Sequence, residues 1–519
     1  YLETESQGTC KELAHVRKSV SSILIAAVSV SLIPINVSLT SNAQAQSSTS
    51  NVSSNLAARL EAQVKQAGFK KDEIGIWISD GANVIYGHQV DKRFIPASLS
   101  KIPTAAATLA LLPQGHKFKT YFATAKDNSS VGRNLRVASG TLKGPLYLIG
   151  GGDPGFVSET AWFLVNELVR TGVKTVEGDL IVDDSRFDAI RFGEDRQSQR
   201  VDRAYDAPLG AMSLNWNAIT AYVRPGVETG AQAEVVLDVL SPFIRLQNKT
   251  KTVQAGKGFN VSIERLKSDK PEEGETFLAT GTIGLDQPEK AVYKSIREPA
   301  MFSAQSLRMF LESRGVVVKG TVKQGRAPKP VAELAILATA ESKPLPMIVA
   351  DMMKWSNNYV ADMLVKNLSA EVAGSNGNTS DGIKRVREYL ERNAGLKPGS
   401  YEFINGAGFT RDNSLSPAQI GAILTAVRND FRIFPEFLAS LPIAGVDGTL
   451  RSRFRGLDGA GWVRAKSGLL NGTIGLAGYS GDDKGRIYTF VLMFNGSAGR
   501  EDAARNLFDR LATTLVKTL

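Results

Sequence analysis

The run from Pro96 to Leu112 restricts the fold more than any other segment. Ala97, Ala105, Ala106 and Ala107 stand in it among Ile102, Leu109, Leu111 and Leu112, and no charged residue follows Lys101. A helix that is apolar on all sides belongs inside a domain rather than on its surface, so the rest of the chain must supply the layers around it. Pro103 falls within the run. An interior proline removes a hydrogen bond and costs about 3 kcal/mol, so either the axis is distorted or the helix starts later than Pro96. At its head stands Ser98-Leu99-Ser100-Lys101. Residues three apart on a helix share a face, which brings a hydroxyl and an amine together, as an activated nucleophile requires. A capping serine beside a surface lysine is the plainer alternative. A helix start also offers free N–H groups and a positive dipole end to an oxyanion.

With 519 residues, 43% of them hydrophobic and 22% charged, the chain has globular composition and room for two to four domains. Lys11, Arg17 and Lys18 precede an apolar run from Ser19 to Val37, and Ala43-Gln44-Ala45 comes after it. Residues 1–45 thus read as a secretory signal cleaved after Ala45, and Pro34, the serines and the small-residue site favour this over an uncleaved anchor. Gln46 to Ser54 is polar and suits a flexible lead-in. The only cysteine, Cys10, lies in the leader, which leaves the remainder without disulfide or thiol nucleophile. Charges in the leader cancel, so the net +10 belongs to residues 46–519 and suggests attraction to anionic envelope polymers. Nucleic acid is a poor partner, because the basic residues are dispersed and carry no recognition motif.

Histidine is scarce. His15 is in the leader, and His88 and His116 show no metal-ligand spacing. No G-x-S-x-G elbow occurs, so a Ser-His-Asp enzyme is disfavoured. Gly150-Gly151-Gly152-Asp153-Pro154 lacks the lysine and spacing of a phosphate loop and reads as a tight turn after the strand Leu146 to Ile149. No metal site or cofactor motif is evident.

Leu56, Leu60 and Val64 mark a helix, and Ile74 to Ile78 with Val84 to Tyr86 mark a hairpin. Pro346 to Trp355 and Tyr359 to Val372 are helical in pattern, and Ser356-Asn357-Asn358 lies between them. Lys466-Ser467-Gly468 sits in a strand beginning near Trp462, with further strands Thr473 to Tyr479 and Arg486 to Phe494, and a closing helix carries Leu507, Phe508, Leu511 and Leu515 on one side.

S-x-x-K, S-x-N and K-[ST]-G in this order resemble the signature of penicillin-recognising serine enzymes. The long separation of Ser98 from Ser356 is similar to that of the D-alanyl-D-alanine carboxypeptidase/endopeptidase family, the class C low-molecular-mass penicillin-binding proteins. The likeness extends through Gly150 to Pro154, Gly178 to Asp184, Asn405-Gly406-Ala407-Gly408 and Gly445 to Leu450. It implies an α/β (α+β) multidomain fold, in which a transpeptidase-like domain with an antiparallel sheet is built from residues 46–115 and 290–519 and interrupted by a β-rich insertion over 116–289. The helix carrying Leu307, Phe310 and Leu311 and the basic strand Val316 to Lys319 fall in the second part.

The resemblance further implies a serine D,D-peptidase, exported to the periplasm or envelope, acting on peptidoglycan stem peptides and cross-links, inhibited by β-lactams, and compatible with peripheral membrane or wall association. Ser98 attacks the carbonyl of the penultimate D-alanine and neutral Lys101 takes its proton, since burial and a nearby cation such as Lys466 depress a lysine pKa. Ser356 relays a proton to the leaving amine, and Asn358 bonds the substrate amide. Lys466 and Ser467, with Gly468 and Leu469 beside them, hold the terminal carboxylate or tune the relay, and the N–H groups of Ser98 and Leu469 receive the oxyanion. Two departures stand out: Ser467 and Leu469 occupy positions where the family has threonine. Leucine lacks the side-chain donor, so the chain either leans toward endopeptidase action or compensates with another group such as Thr473. A β-lactamase and a catalytically weak wall-binding protein are the competing readings.

Overall fold

The computed structural model describes residues 41–516 except 82, 133, 193–203, 330 and 374–375. Most of the leader, with Cys10, lies outside the described residues. Among those described, no helix is long and apolar enough to cross a membrane. The first helix, Ser41–Gln66, covers the stretch expected to be a flexible lead-in. Once Leu56 and Leu60 anchor its far end in the core, the nucleation cost is already met and each added residue gains a hydrogen bond. Residues 51–519 form one compact unit.

The first layer of this unit is a five-stranded antiparallel sheet in the order Val463–Leu470, Thr473–Gly481, Ile487–Asn495, Ile74–Ser79, Val84–His88. The expected hairpin and the three late strands are all present. Strand alternation sorts the side chains onto two cores. Leu476, Phe490 and Leu492 face Leu507, Phe508 and Leu511 of the helix Glu501–Thr514, whereas Ala477, Val491 and Met493 face Leu99 and Ile102. Central strands buried on both faces are accordingly mostly apolar, with Thr473, Ser480 and Thr489 as buried polar exceptions.

The alanine-rich run lies in that second core, wrapped by the helices Leu345–Trp355, Asn358–Ala373 and Pro417–Asn429. Pro103 is accommodated by a later start. Ala97–Ser100 forms a 3₁₀ turn and the α-helix runs Lys101–Leu111, so the proline occupies the first α-turn, where its missing N–H has no intrahelical acceptor to lose.

Between the hairpin and Ser356 the chain builds a mixed five-stranded sheet, ordered Val322–Gln324, Leu180–Asp183, Leu146–Ile149, Lys119–Ala125, Leu334–Glu341, and, among the described residues, three smaller sheets of three strands each. The helix Pro299–Ser313 packs Phe302, Leu307 and Leu311 into the same core as Phe122, Leu148 and Val182. The strand Val317–Val318 pairs in parallel with Thr175–Val176. Residues 299–341 thus pack with the inserted region and not with the sheet that carries Lys466, and we propose that the insertion ends near Ser342 rather than at 289. The Gly150 to Pro154 turn joins the two parts: Asn367, on the Asn358–Ala373 helix, donates to the Gly152 carbonyl at 2.8 Å.

Candidate active site

The nucleophile turn is strained and tightly packed. Ala97 takes φ 49°, a left-handed conformation that costs an alanine about 1 kcal/mol or more. Leu99 is fully buried beneath the Val463–Leu470 strand, and Gly468 is what lets that strand approach: a Cβ there would lie 2.9 Å from the Pro96 carbonyl oxygen. Ser98 stays half-buried.

Lys101 has no exposed surface. Its Nζ lies 3.3 Å from Ser98 Oγ and donates to Asn358 Oδ1 at 2.7 Å and to the Ala407 carbonyl at 2.5 Å. The last contact comes from the Asn405-Gly406-Ala407-Gly408 loop, which is pinned from inside. Asn405 Oδ1 accepts from the Ala407 and Gly408 N–H groups at 3.0 and 2.6 Å. Asn413 Nδ2 donates to Ser100 Oγ at 2.9 Å and to the Asn405 carbonyl at 2.6 Å. Gly408, at φ +69°, sits where a Cβ would be 1.9 Å from the Ala97 carbonyl oxygen. Loop and nucleophile turn therefore interlock.

The chain reverses sharply at Ser356, which ends the Leu345–Trp355 helix in the left-handed conformation (φ 54°, ψ 38°), and Asn358 begins the next helix. This bend sends the two side chains to different amines: Asn358 meets Lys101, and Ser356 Oγ accepts from Lys466 Nζ at 2.9 Å. Lys466 also donates to the Ser467 carbonyl at 2.7 Å. Buried completely, its amine is pushed down to about 7 by loss of water. Ser467 Oγ donates to Thr449 Oγ1 at 2.7 Å.

The strand that carries Lys466 is the edge of its sheet. Ala465 N–H points off that edge to the Pro442 carbonyl, and the strand pairs with its neighbour without a register shift. Peptide groups two residues apart face the same way, so the N–H groups of Ser467 and Leu469 also point off the edge. The Leu469 side chain is 59 % exposed. Thr473, the candidate substitute for the missing threonine, is 1 % exposed, so its hydroxyl is withdrawn from the cleft.

The structure thus gathers Ser98, Lys101 and Asn358 into one hydrogen-bonded set and Ser356 and Lys466 into a second, the two tied by the bend between Ser356 and Asn358, with Ser467, Gly468 and Leu469 on the adjoining edge. Asn405, Ala407 and Thr449 lie in two of the segments that carry the resemblance, but the sequence assigns them no role, and Asn413 falls outside those segments. His88 bonds the Lys71 carbonyl and His116 lies 3.7 Å from Glu371, both outside this cluster. Among the described residues no group of three or more His, Cys, Asp or Glu could hold a metal ion.

The sequence model of the D-Ala-D-Ala carboxypeptidase 3 (S13) family matches residues 56–516. The chain belongs to this family. Its S13 membership makes it a serine-type D-Ala-D-Ala peptidase. A D-alanyl-D-alanine carboxypeptidase from an Actinomadura species is 31% identical over 487 residues, covering 91% of this chain and 87% of the relative. D-alanyl-D-alanine carboxypeptidase DacB of Haemophilus influenzae is 24% identical over 406 residues, 78% of this chain and 80% of its own. The crystal structure of penicillin binding protein 4 from Haemophilus influenzae superposes with a TM-score of 0.70 at 23% identity, covering 85% of this chain and 96% of that one. This S13 chain therefore has the same fold, a transpeptidase-like domain with inserted β-rich regions.

Proposed function

We propose that Ser98 is the acylated nucleophile and Lys101 its base, and that the substrates are peptidoglycan stem peptides ending in, or cross-linked through, D-alanine. The observation that carries this reading is the fully buried Lys101 amine beside Ser98 Oγ, held by Asn358 and Ala407. Attack by Ser98 on the penultimate D-alanine carbonyl passes the hydroxyl proton to Lys101. Ser356, bonded to Lys466, hands a proton to the departing amine, and the N–H groups of Ser98 and Leu469 hold the oxyanion. Water then releases the shortened peptide. With Leu469 apolar and Thr473 buried, the paired hydroxyls of Ser467 and Thr449 take over binding of the terminal carboxylate, beside Lys466. Such an enzyme works outside the cytosol, in the periplasm or envelope, where β-lactams acylate the same serine and peripheral contact with membrane or wall brings it to its polymer.

Labelled penicillin followed by digestion tests the core of this proposal. Ser98 should carry the label, and Ser98→Ala should carry none; label on another serine would refute it. Lys101→Ala should slow acylation by at least about a hundredfold. For the carboxylate, Thr449→Val should raise KM for a D-Ala-D-Ala pentapeptide several-fold with little change in kcat.

A further inference from the structure

Beyond Ser356 the cleft stays open. A groove of about 980 Å³ runs from Trp355-Ser356-Asn357-Asn358 into the inserted region, where Trp216, Tyr222 and Tyr293 line it. These aromatic side chains are open to solvent: Trp355 is 65 %, Trp216 42 %, Tyr222 37 % and Tyr293 59 % exposed. Two of them share the outer face of one sheet. Tyr222 pairs with Ala291 and Tyr293 with Thr220 across adjacent antiparallel strands, which makes the two rings diagonal neighbours. The opposite face, with Ile219, Ala221 and Val223, is core. Alternation would place polar residues on the outer face of such a sheet; tyrosines stand there instead.

Trp216 is held in place by strain. Asn215, Trp216 and Asn217 have consecutive φ values of 52°, 55° and 53°, left-handed at three non-glycine residues. The turn persists because its flanks are clamped: Asn215 Oδ1 accepts from Ser158 N–H at 2.9 Å, and Asn217 Nδ2 donates to the carbonyls of Pro208 and Ile296 at 3.1 and 2.7 Å. Strain of this kind clusters where a side chain is presented for use.

We infer that this groove binds the glycan strand to which the stem peptide is attached. A pyranose ring has an apolar C–H face and a polar rim, and needs aromatic planes with hydrogen-bonding groups between them. Here Asn357 and Asp238 supply such groups among the four rings. Charge decides against an anionic polymer. The groove carries Glu159, Asp238 and Asp351, and its one lysine among the lining residues, Lys343, pairs with Asp351 at 3.1 Å. An amino-sugar strand whose lactyl carboxyl is tied up in the amide to its peptide is uncharged and suits this wall. Continuity with Ser356 and Asn358 places that strand where its peptide can enter the cleft. The identity of the polymer rests on the peptidase reading, whereas binding of a neutral amino-sugar oligomer does not.

The full chain is titrated with chitotetraose, a neutral amino-sugar oligomer, while tryptophan fluorescence is followed. Saturable binding is expected, retained in Ser98→Ala and weakened at least fivefold in the Tyr222→Ser/Tyr293→Ser double variant. In kinetics, the double variant should lose at least fivefold in kcat/KM on stem peptides still joined to glycan relative to the free pentapeptide. No saturable change, equal affinity in the double variant, or tighter binding of polyphosphate than of chitotetraose overturns the inference. Absence of penicillin label from Ser98 of the wild-type chain, with chitotetraose binding intact, would strike only at the role of Ser98.

Discussion

At the scale of single residues, Lys466 is an amine buried at a cost in stability, at the position proposed for the proton relay. Burial pushes its amine down to about 7, while an unfolded lysine titrates near 10.4. Between these values the unfolded chain binds a proton that the folded chain does not, so stability rises with pH across that window. Below about 7 the folded protein carries the full penalty, roughly 3–5 kcal/mol. Lys466→Met should therefore raise Tm by several degrees at pH 6.5, with the gain shrinking toward pH 10, and should cut the penicillin acylation rate at least a hundredfold. A Tm unchanged at pH 6.5 would show that the amine is not desolvated. With the wild type, KM for a carboxylate-terminated peptide should climb as pH passes about 7 and the free enzyme loses this charge.

At the scale of elements, the Asn405 to Asn413 loop acts as a wedge against the nucleophile turn. Asn413 is fully buried and bonds Ser100, the Asn405 carbonyl and the N–H groups of Ile404 and Asn405. Asn413→Ala strands several of these groups, each left unsatisfied at about 1–3 kcal/mol, and should lower both the urea midpoint and the labelling rate of Ser98. Retention of full labelling with a lowered midpoint would reduce the loop to a purely structural part. How far such elements can be read from sequence depends on where their information lies. Strands and helices with a strong period, such as Ile487–Asn495 and Glu501–Thr514, are legible because each carries its own pattern. Ser98 and Lys101 are legible because three positions on a helix fix their proximity. The Ala407 carbonyl is not, since a backbone acceptor leaves no mark on residue type. The proposed far boundary of the insertion, near Ser342, is hidden for a related reason: Phe302, Leu307 and Leu311 declare an apolar helix face but not which core receives it.

At the scale of the whole molecule, two cores meet at the Gly150 to Pro154 turn, and Asp153 is buried there at 4 % exposure. Desolvation pushes its carboxyl up to about 6, against an unfolded value near 3.9. The folded state then binds the extra proton between those values, so this residue's contribution is fully present below about 3.9 and is lost as pH rises through 6. Asp153→Asn keeps an oxygen for the Gly155 N–H, which Asp153 Oδ1 accepts at 2.8 Å. It should raise Tm at pH 7 and leave it unchanged at pH 3.5; equal effects at both would mean that packing and not charge governs the joint.

The five-stranded sheet pairs Ile74–Ser79 with Ile487–Asn495, and Lys101 finds its acceptors at Asn358 and Ala407. The groups that bury and orient the Lys101 amine are thus translated after the insertion, and the strand bearing Lys466 comes later still. Until then a nascent chain holds Ser98 beside a solvated lysine, which stays protonated and cannot act as a base. It also lacks the edge strand that packs over the nucleophile turn at Gly468. On the proposed mechanism the peptidase is therefore silent through its own synthesis and gains activity only when the late strands close over the early hairpin, a latency set by the order of translation.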